Sequence, residues 1–222
     1  MPKLNRWWIL KPVVFLACLT PTLWITRAIW LTYQGLDGGL SANPIDDVIE
    51  FTGIWTLRFL MITLAITPLR RLTGMSSLIR FRRMLGLFTF FSGFLHLTSY
   101  IWLDQFFLWS AIVEDVIKRW FITSGMIGFV LMIPLAITST RKWIARLGGS
   151  RWQTVHRLIY FSGAAGVIHY YFYEKSDIRH PLAYGVLLTA LLAFRAWHAF
   201  RRTGTVAALP KVPIGKSPID MP

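Results

Sequence analysis

The chain alternates between long apolar runs and short polar connections, and six of the runs are long enough to cross a lipid bilayer. A hydrocarbon core about 30 Å thick needs about 20 apolar residues in helical conformation. No connection between runs exceeds about 20 residues, so no separate soluble domain interrupts the pattern. The pattern predicts an all-α integral membrane protein, a six-transmembrane-helix bundle with helices at about 11–32, 50–69, 84–103, 120–138, 152–173 and 181–200.

Composition supports a membrane protein over a nucleic-acid-binding one. Hydrophobic residues make up 55% of the chain and the mean hydropathy is +0.50, which is more apolar than a soluble domain requires. The net charge of +14 would suggest a nucleic-acid partner in a soluble protein. Here the basic residues occur in short blocks between apolar runs, so we expect membrane lipid and no nucleic acid as a partner. A single cysteine, Cys18, rules out a thiolate cluster or a disulfide framework.

The basic blocks predict the orientation of the helices. Seventeen of the 24 Lys and Arg residues fall in 1–11, 70–83, 141–151 and the region from 195 onward, all on one side of a six-span arrangement. Nine of the ten acidic residues fall on the other side. Because cytoplasmic loops carry the excess of Lys and Arg, both termini are expected in the cytoplasm. We therefore expect a membrane domain over 1–203 and a flexible cytoplasmic tail over 204–222.

The segment 151–173 combines an apolar run with two histidines, His156 and His169. An imidazole inside a membrane helix is costly and usually functional. The two are 13 residues apart, about 20 Å along a helix, so each lies near one face of the bilayer. Imidazole is an axial ligand of haem iron, and two ligands at two depths suggest a route for electrons. The alternative for any single histidine is a hydrogen bond to a neighbouring helix.

Depth along the helices favours one pair of ligands. His96 lies in the third apolar run, and its depth differs from that of His169 by about 6 Å and from that of His156 by about 13 Å. We therefore expect His96 and His169 to form the better bis-imidazole site. His156 is a candidate ligand of a second haem, with His198 at a similar depth. On one ideal helix His156 and His169 would point about 140° apart, so the helix is distorted near Gly163 and Gly166 or the two histidines address different neighbours.

Arginines inside or near the apolar runs have two interpretations each. Arg58 is the deepest, and it would contact either a haem propionate or a quinone, or a backbone carbonyl or an acidic residue at the outer face. Arg80, Arg82 and Arg83 suit a flavin phosphate, but the ordinary excess of basic residues in cytoplasmic loops explains them equally well.

Three segments resemble a known family. They read RRMLGLFTFFSGFLHLTSYIWLD from Arg82, KRWFITSGMIGFVLMIPLAITS from Lys118 and WQTVHRLIYFSGAAGVIHYYFYEKSD from Trp152. The chain is similar through them, and through its length and predicted spans, to the MsrQ (YedZ) family. That family comprises haem-binding membrane subunits of the periplasmic methionine sulfoxide reductase system. It belongs to the ferric-reductase-like transmembrane superfamily, which includes the NADPH oxidases.

The resemblance implies a multi-pass protein of the bacterial inner membrane with one or two haem b groups and FMN. Electrons would pass from the quinone pool or a cytoplasmic flavin reductase to MsrP, a periplasmic molybdopterin enzyme that reduces methionine sulfoxide in oxidised envelope proteins. Substrate reduction would take place on that partner. His96, His156 and His169 match the haem-associated histidines of the family, whereas no residues can be assigned to the flavin. The oxidases carry two histidines on each of two spans, and here the third span has one.

Two other functions stay open on the sequence alone. One is a stand-alone membrane cytochrome that reduces quinone or a metal. The other is a small proton-coupled transporter with the histidines as a proton relay, although no Asp or Glu lies well inside an apolar run, which counts against it.

Overall fold

The computed structural model describes residues 7–207, with side chains from Ile9 to Arg201, and that part of the chain is helical without strands. The predicted tail over 204–222 lies almost entirely outside the described residues. A short 3₁₀ turn over Ser76–Arg80 precedes the third helix and a π-helical turn over Tyr100–Asp104 extends it. The helices are α1 (Trp7–Tyr33), α2 (Pro44–Thr73), α3 (Arg82–Ser99), α4 (Trp109–Lys118), α5 (Trp120–Ile137), α6 (Arg141–His156), α7 (Leu158–Tyr173) and α8 (Arg179–Ala207).

The second helix is the centre of the bundle. It begins at Pro44, whose fixed φ suits the first turn of a helix, and it ends at Gly74, which adopts the left-handed conformation (φ 71°) that glycine tolerates. Of the 18 most apolar consecutive residues of α2, 44% are buried, compared with 17% for α1 and 6% for α8. Its packing neighbours include α1, α3, α7 and α8. Residues on α2 are therefore well placed to hold side chains from several other helices.

Two apolar clusters lie against α2. The larger joins Leu60 and Leu64 of α2 to Met132 of α5, Ile159 of α7 and Leu188 of α8. The smaller cluster joins α2 to α1 and α3, through Cys18, Phe59, Ile66, Leu85 and Phe88. Burial of Cys18 agrees with its interpretation as a small apolar side chain. The most extensive helix–helix contacts are those of α2 with α3 and of α5 with α7, so the bundle is built from two hairpin-like halves that share one core.

The fifth predicted span contains one irregular turn. At Arg157 the backbone keeps helical angles (φ −73°, ψ −19°), but its N–H donates to the Thr154 carbonyl three residues back, as in a tightened turn. The larger break lies earlier, inside α6, where Gly148 leaves the helical conformation (φ 72°, ψ 162°). The part that follows Arg157, α7, has 16 residues and is about 24 Å long, which is shorter than a hydrocarbon core. Within residues 7–207, five helices are long and apolar enough to span a membrane: Ile9–Tyr33, Pro44–Thr73, Arg82–Asp104, Trp120–Ile137 and Arg179–Arg201.

Candidate functional site

The structure brings His96 of α3 and His169 of α7 together in the interior of the bundle. Their ring centroids are 6.0 Å apart and the ring planes make an angle of 72°. Both side chains are half-buried. The two helices belong to different halves of the bundle, and the rings meet between them.

Each ring of this pair is fixed by a backbone carbonyl on a third helix. The Nδ1 atom of His96 is 2.9 Å from the carbonyl oxygen of Ile49 on α2, and that of His169 is 2.8 Å from the carbonyl oxygen of Phe121 on α5. Since a carbonyl can only accept, each Nδ1 carries the proton. In a neutral imidazole the lone pair is then on Nε2, which is the atom available to a metal.

Glycines make room for both rings. A Cβ built on Gly53 of α2 would lie 3.0 Å from Cε1 of His96, and one built on Gly125 of α5 would lie 2.8 Å from Nδ1 of His169. Real Cβ atoms essentially never approach as closely as 2.8 Å, so a larger residue at 125 would displace the His169 ring, and at 3.0 Å one at 53 would push the His96 ring by a few tenths of an ångström. The glycines noted in the sequence, Gly163 and Gly166, do not face these rings. They let α7 pack closely against leucines of α2 and α8.

The pair fits the axial ligand set of a haem. A metal–imidazole bond is about 2 Å long, so two imidazoles on opposite sides of one metal ion have ring centroids about 6 Å apart. The observed separation is 6.0 Å. The carbonyl hydrogen bonds fix the tautomer that exposes Nε2, as partners behind metal-binding histidines do. The ring spacing and the tautomer of His96 and His169 are therefore compatible with binding one metal ion between them.

His156 lies elsewhere and has a different environment. Its Nε2 is 3.1 Å from Oγ1 of Thr138, and its ring stacks on Trp152 at 3.9 Å between centroids. The Thr138 hydroxyl proton is donated to the Pro134 carbonyl, at 2.6 Å, so Thr138 accepts and His156 carries its proton on Nε2. The sequence left open whether His156 and His169 sit on a distorted helix or address different neighbours. They lie on different helices and face different partners.

The two remaining histidines lie at the ends of α8. His180 is exposed at its beginning. His198 contacts Phe194 and Trp197 of its own helix, with ring centroids 4.6 and 5.0 Å away. The structure therefore does not bring His198 to His156, the partner considered for it from depth alone.

Two arginines make polar contacts within the apolar region. Nε of Arg58 is 3.4 Å from the Tyr184 hydroxyl, and its guanidinium lies 4.9 Å from the Trp55 ring centroid. Arg195, which sequence analysis treated only as part of a basic block, donates to the Leu64 carbonyl at 2.6 Å and to the Tyr160 hydroxyl at 2.8 Å. It thereby links α8 to α2 and α7.

Sequence reasoning missed the supports of the ring pair. The acceptors are backbone carbonyls of Ile49 and Phe121, and the side chains of these residues carry no signal of that function. Gly53 and Gly125 were visible as small residues inside apolar runs, which is a feature of close helix contacts in membranes. The sequence did not show which ring each would face.

Comparisons with known proteins agree with this architecture. The family described as ferric reductase like transmembrane component matches residues 52–167, a segment that contains His96 and His156 and ends two residues before His169. No solved structure matches the chain.

Several curated relatives carry the name protein-methionine-sulfoxide reductase heme-binding subunit MsrQ. The relative from Caulobacter vibrioides is 46% identical over 193 residues, which are 87% of this chain and 89% of that protein. The relative from Xanthomonas campestris pv. campestris is 45% identical over 197 residues, 89% and 90% of the two chains. That from Herminiimonas arsenicoxydans is 46% identical over 203 residues, 90% of each. The chain therefore belongs to the MsrQ family of ferric-reductase-like transmembrane proteins.

Proposed function

We propose that this chain is the haem b-carrying, electron-transferring membrane subunit of a methionine sulfoxide reductase system, with His96 and His169 as the axial ligands. The observation that carries the proposal is the ring pair, whose centroids are 6.0 Å apart and whose Nδ1 atoms both face carbonyl oxygens. The name shared by the curated relatives supplies the biological context.

The residues around the pair orient the ligands and control their environment. The carbonyls of Ile49 and Phe121 hold each imidazole in one tautomer and limit its rotation. Haem iron, when bound, supplies reversible one-electron chemistry at a potential set by its axial ligands and by burial. Phe121 also lies beside His169, with ring centroids 6.1 Å apart, and keeps apolar surface against it.

We further propose the electron path implied by the family. Electrons enter from the quinone pool or from a cytoplasmic flavin reductase, with FMN as a flavin cofactor, and leave to MsrP, a periplasmic molybdopterin enzyme. Reduction of methionine sulfoxide takes place on that partner. The chain itself has the character of an electron-transfer subunit, because its candidate site consists of ligands for a redox group rather than of a nucleophile or an acid–base pair.

We propose the bacterial inner membrane as the location, with six crossings and both termini in the cytoplasm. Besides the five long helices, α7 would make the remaining crossing, which is the fifth in chain order. The final turns of α6 would extend its length. The separation of basic and acidic connections supports this orientation.

His156 stays a candidate ligand of a second haem. For its Nε2 to bind a metal, the hydrogen bond to Thr138 must break and the proton must leave Nε2. The same imidazole is already stacked on Trp152. A single haem at the His96 and His169 pair needs neither change, and we favour it.

The visible spectrum of the purified chain tests the proposal. Protein from haem-replete cells should show a Soret band that shifts, and a sharp α band that appears, on reduction with dithionite. His96→Ala and His169→Ala should each lose most of the haem, because each variant leaves one axial position without a ligand. His180→Ala, which replaces an exposed imidazole at the start of α8, is the matched control and should keep the full haem content.

A colourless wild-type preparation would contradict the function. Loss of haem in His156→Ala, with retention in His96→Ala, would contradict the ligand assignment and leave the function standing.

A further inference from the structure

Helix α4 lies where the chain emerges from the bilayer between two spans. The candidate span of α3 ends at Asp104 and that of α5 begins at Trp120, so only residues 105–119 connect them. A connection this short keeps α4 at the membrane surface, on the side that the charge pattern assigns to the outside.

The surface of α4 is divided into three sectors. Ile112 faces the bundle and is 7% exposed, whereas Trp109, Val113 and Ile117, spaced by four residues, form a stripe that is 64%, 56% and 77% exposed. Glu114, with Lys118 one turn later, forms an exposed ion pair on the third side. At about 100° per residue the bundle, apolar and charged sectors point about 120° apart.

This arrangement differs from that of a helix on a soluble protein. A soluble surface helix has two faces, one apolar toward the core and one polar toward water. A helix lying in the headgroup layer beside a protein meets three environments, namely protein, acyl chains and water. The sectors of α4 match these three environments in order around the helix.

The loop before α4 continues the apolar sector. Phe106 and Phe107 both have positive φ, 46° and 60°, which is unfavourable for bulky side chains. Their rings are nevertheless exposed, as is that of the neighbouring Trp109. Three exposed aromatic residues within four positions at a membrane surface are typical of an interfacial anchor.

Polar contacts fix α4 to the outer end of α3, which carries His96, and to α5, which carries the Phe121 carbonyl. The Tyr100 hydroxyl, one turn beyond His96, donates to Oδ2 of Asp115 at 3.0 Å. Arg119 pairs with the same carboxylate at 3.1 Å, and Thr123 of α5 donates to the Val116 carbonyl. The position of α4 is thus coupled to the outer ends of α3 and α5.

We propose that the stripe Trp109, Val113 and Ile117, with Phe106 and Phe107, is a lipid-binding surface that inserts into the acyl boundary of the outer leaflet. Its partner is phospholipid, and the Glu114 and Lys118 sector faces water. Seated in this way, α4 fixes the height at which the outer ends of α3 and α5 leave the bilayer. The proposal rests on the membrane topology and not on haem, so it stands or fails separately from the function proposed above.

Site-directed spin labels on the whole chain in phospholipid nanodiscs test this surface. Cys18→Ala removes the only native thiol. Single cysteines then replace Val113 or Ile117 in the apolar sector and, as matched controls on the same helix, Glu114 or Lys118. Each label is measured for collision with oxygen, which concentrates in lipid, and with a water-soluble nickel complex.

The ratio of oxygen to nickel accessibility should be several-fold higher for the labels at 113 and 117 than for those at 114 and 118. Equal and high nickel accessibility at all four positions would overturn the proposal, since the stripe would then face water and be free for a protein partner. Protection of 113 and 117 from both reagents would also overturn it, because a second copy of the chain would then cover the stripe.

Discussion

The two central imidazoles are held by the same local arrangement. His96 contacts the carbonyl of Ile49 and the glycine four residues later, Gly53, and His169 contacts the carbonyl of Phe121 and the glycine four residues later, Gly125. In an α-helix the residue at i+4 lies directly over the carbonyl of residue i. A glycine there uncovers the carbonyl, so a ring from another helix can reach its second lone pair.

Alanine at either glycine should weaken haem binding without removing a ligand. The added Cβ of Gly125→Ala would lie 2.8 Å from Nδ1 of His169, and that of Gly53→Ala 3.0 Å from Cε1 of His96, so each ring must move away from its carbonyl. Loss of such a supporting contact typically lowers metal affinity about 10- to 100-fold. Haem content per protein and the low-spin signal in electron paramagnetic resonance measure the effect.

Gly86→Ala is the control for a glycine in an equivalent helical setting. Its Cβ would meet only Cγ2 of Thr63, at an ordinary 3.8 Å, and alanine favours the helix by about 1 kcal/mol. This variant should keep its haem and gain slight thermal stability. If Gly53→Ala and Gly125→Ala bind haem as tightly as Gly86→Ala does, the glycines do not position the rings.

At the level of the elements, apolar run length predicted the long helices well and the break between α6 and α7 poorly. The predicted run 120–138 corresponds to Trp120–Ile137, because no charged side chain lies between its two ends. The run 152–173 is less apolar, since Gln153, Thr154 and Arg157 lie in it, and its regular helical hydrogen bonding is interrupted at Arg157. Contacts outside the run decide this: the Trp152 indole N–H donates to the Thr138 carbonyl, at 3.0 Å, and His156 donates to the Thr138 hydroxyl.

The sequence predicted the depth of the site's histidines but not the backbone atoms that support them. Depth along two helices is a matter of counting residues, so the proximity of His96 and His169 followed from the sequence. The carbonyls that support them belong to α2 and α5, and which backbone atoms face a ring depends on helix rotation. When a helix is packed on several sides, as α2 is, the hydrophobic pattern alone does not determine its rotation about its own axis.

The connection from α7 to α8 should lose its order in acid. Oε1 of Glu174 accepts bonds from the Ser176 hydroxyl at 2.7 Å, the Ser176 N–H at 3.0 Å and the Asp177 N–H at 3.3 Å. These donors, the Ser176 hydroxyl first, hold the pKa of Glu174 below its ordinary value. The carboxylate contacts are therefore complete above the ordinary glutamate pKa of about 4.3 and are lost as the pH falls through the lowered value.

Hydrogen exchange of the Ser176 and Asp177 amides, followed from neutral to acidic pH, measures this loss. Protection corrected for intrinsic exchange should fall at low pH in the wild type and be low at every pH in Glu174→Ala, which removes the acceptor. Equal protection in both proteins at neutral pH would show that the loop is ordered by something other than this carboxylate.

For the whole molecule, the charge pattern predicts which loops face the cytoplasm. Alkaline phosphatase, which is active only outside, should be active when fused in the 105–119 connection or after Asp177, and inactive when fused after Gly74. A green fluorescent protein joined to the C-terminus should fluoresce, because it folds in the cytoplasm. A dark C-terminal fusion together with active phosphatase after Gly74 would reverse the orientation.

The division of the ring supports between α2 and α5 has a consequence for synthesis. His96 on α3 and its carbonyl partner on α2 belong to consecutive helices. His169 on α7 and its carbonyl partner on α5 follow more than twenty residues later in the chain. Because synthesis starts at the N-terminus, α2 and α3, with His96 and its carbonyl partner, are made before α5 and α7. Haem bound by both imidazoles would then connect the α2–α3 pair to the α5–α7 pair, and haem insertion would be the last step of assembly.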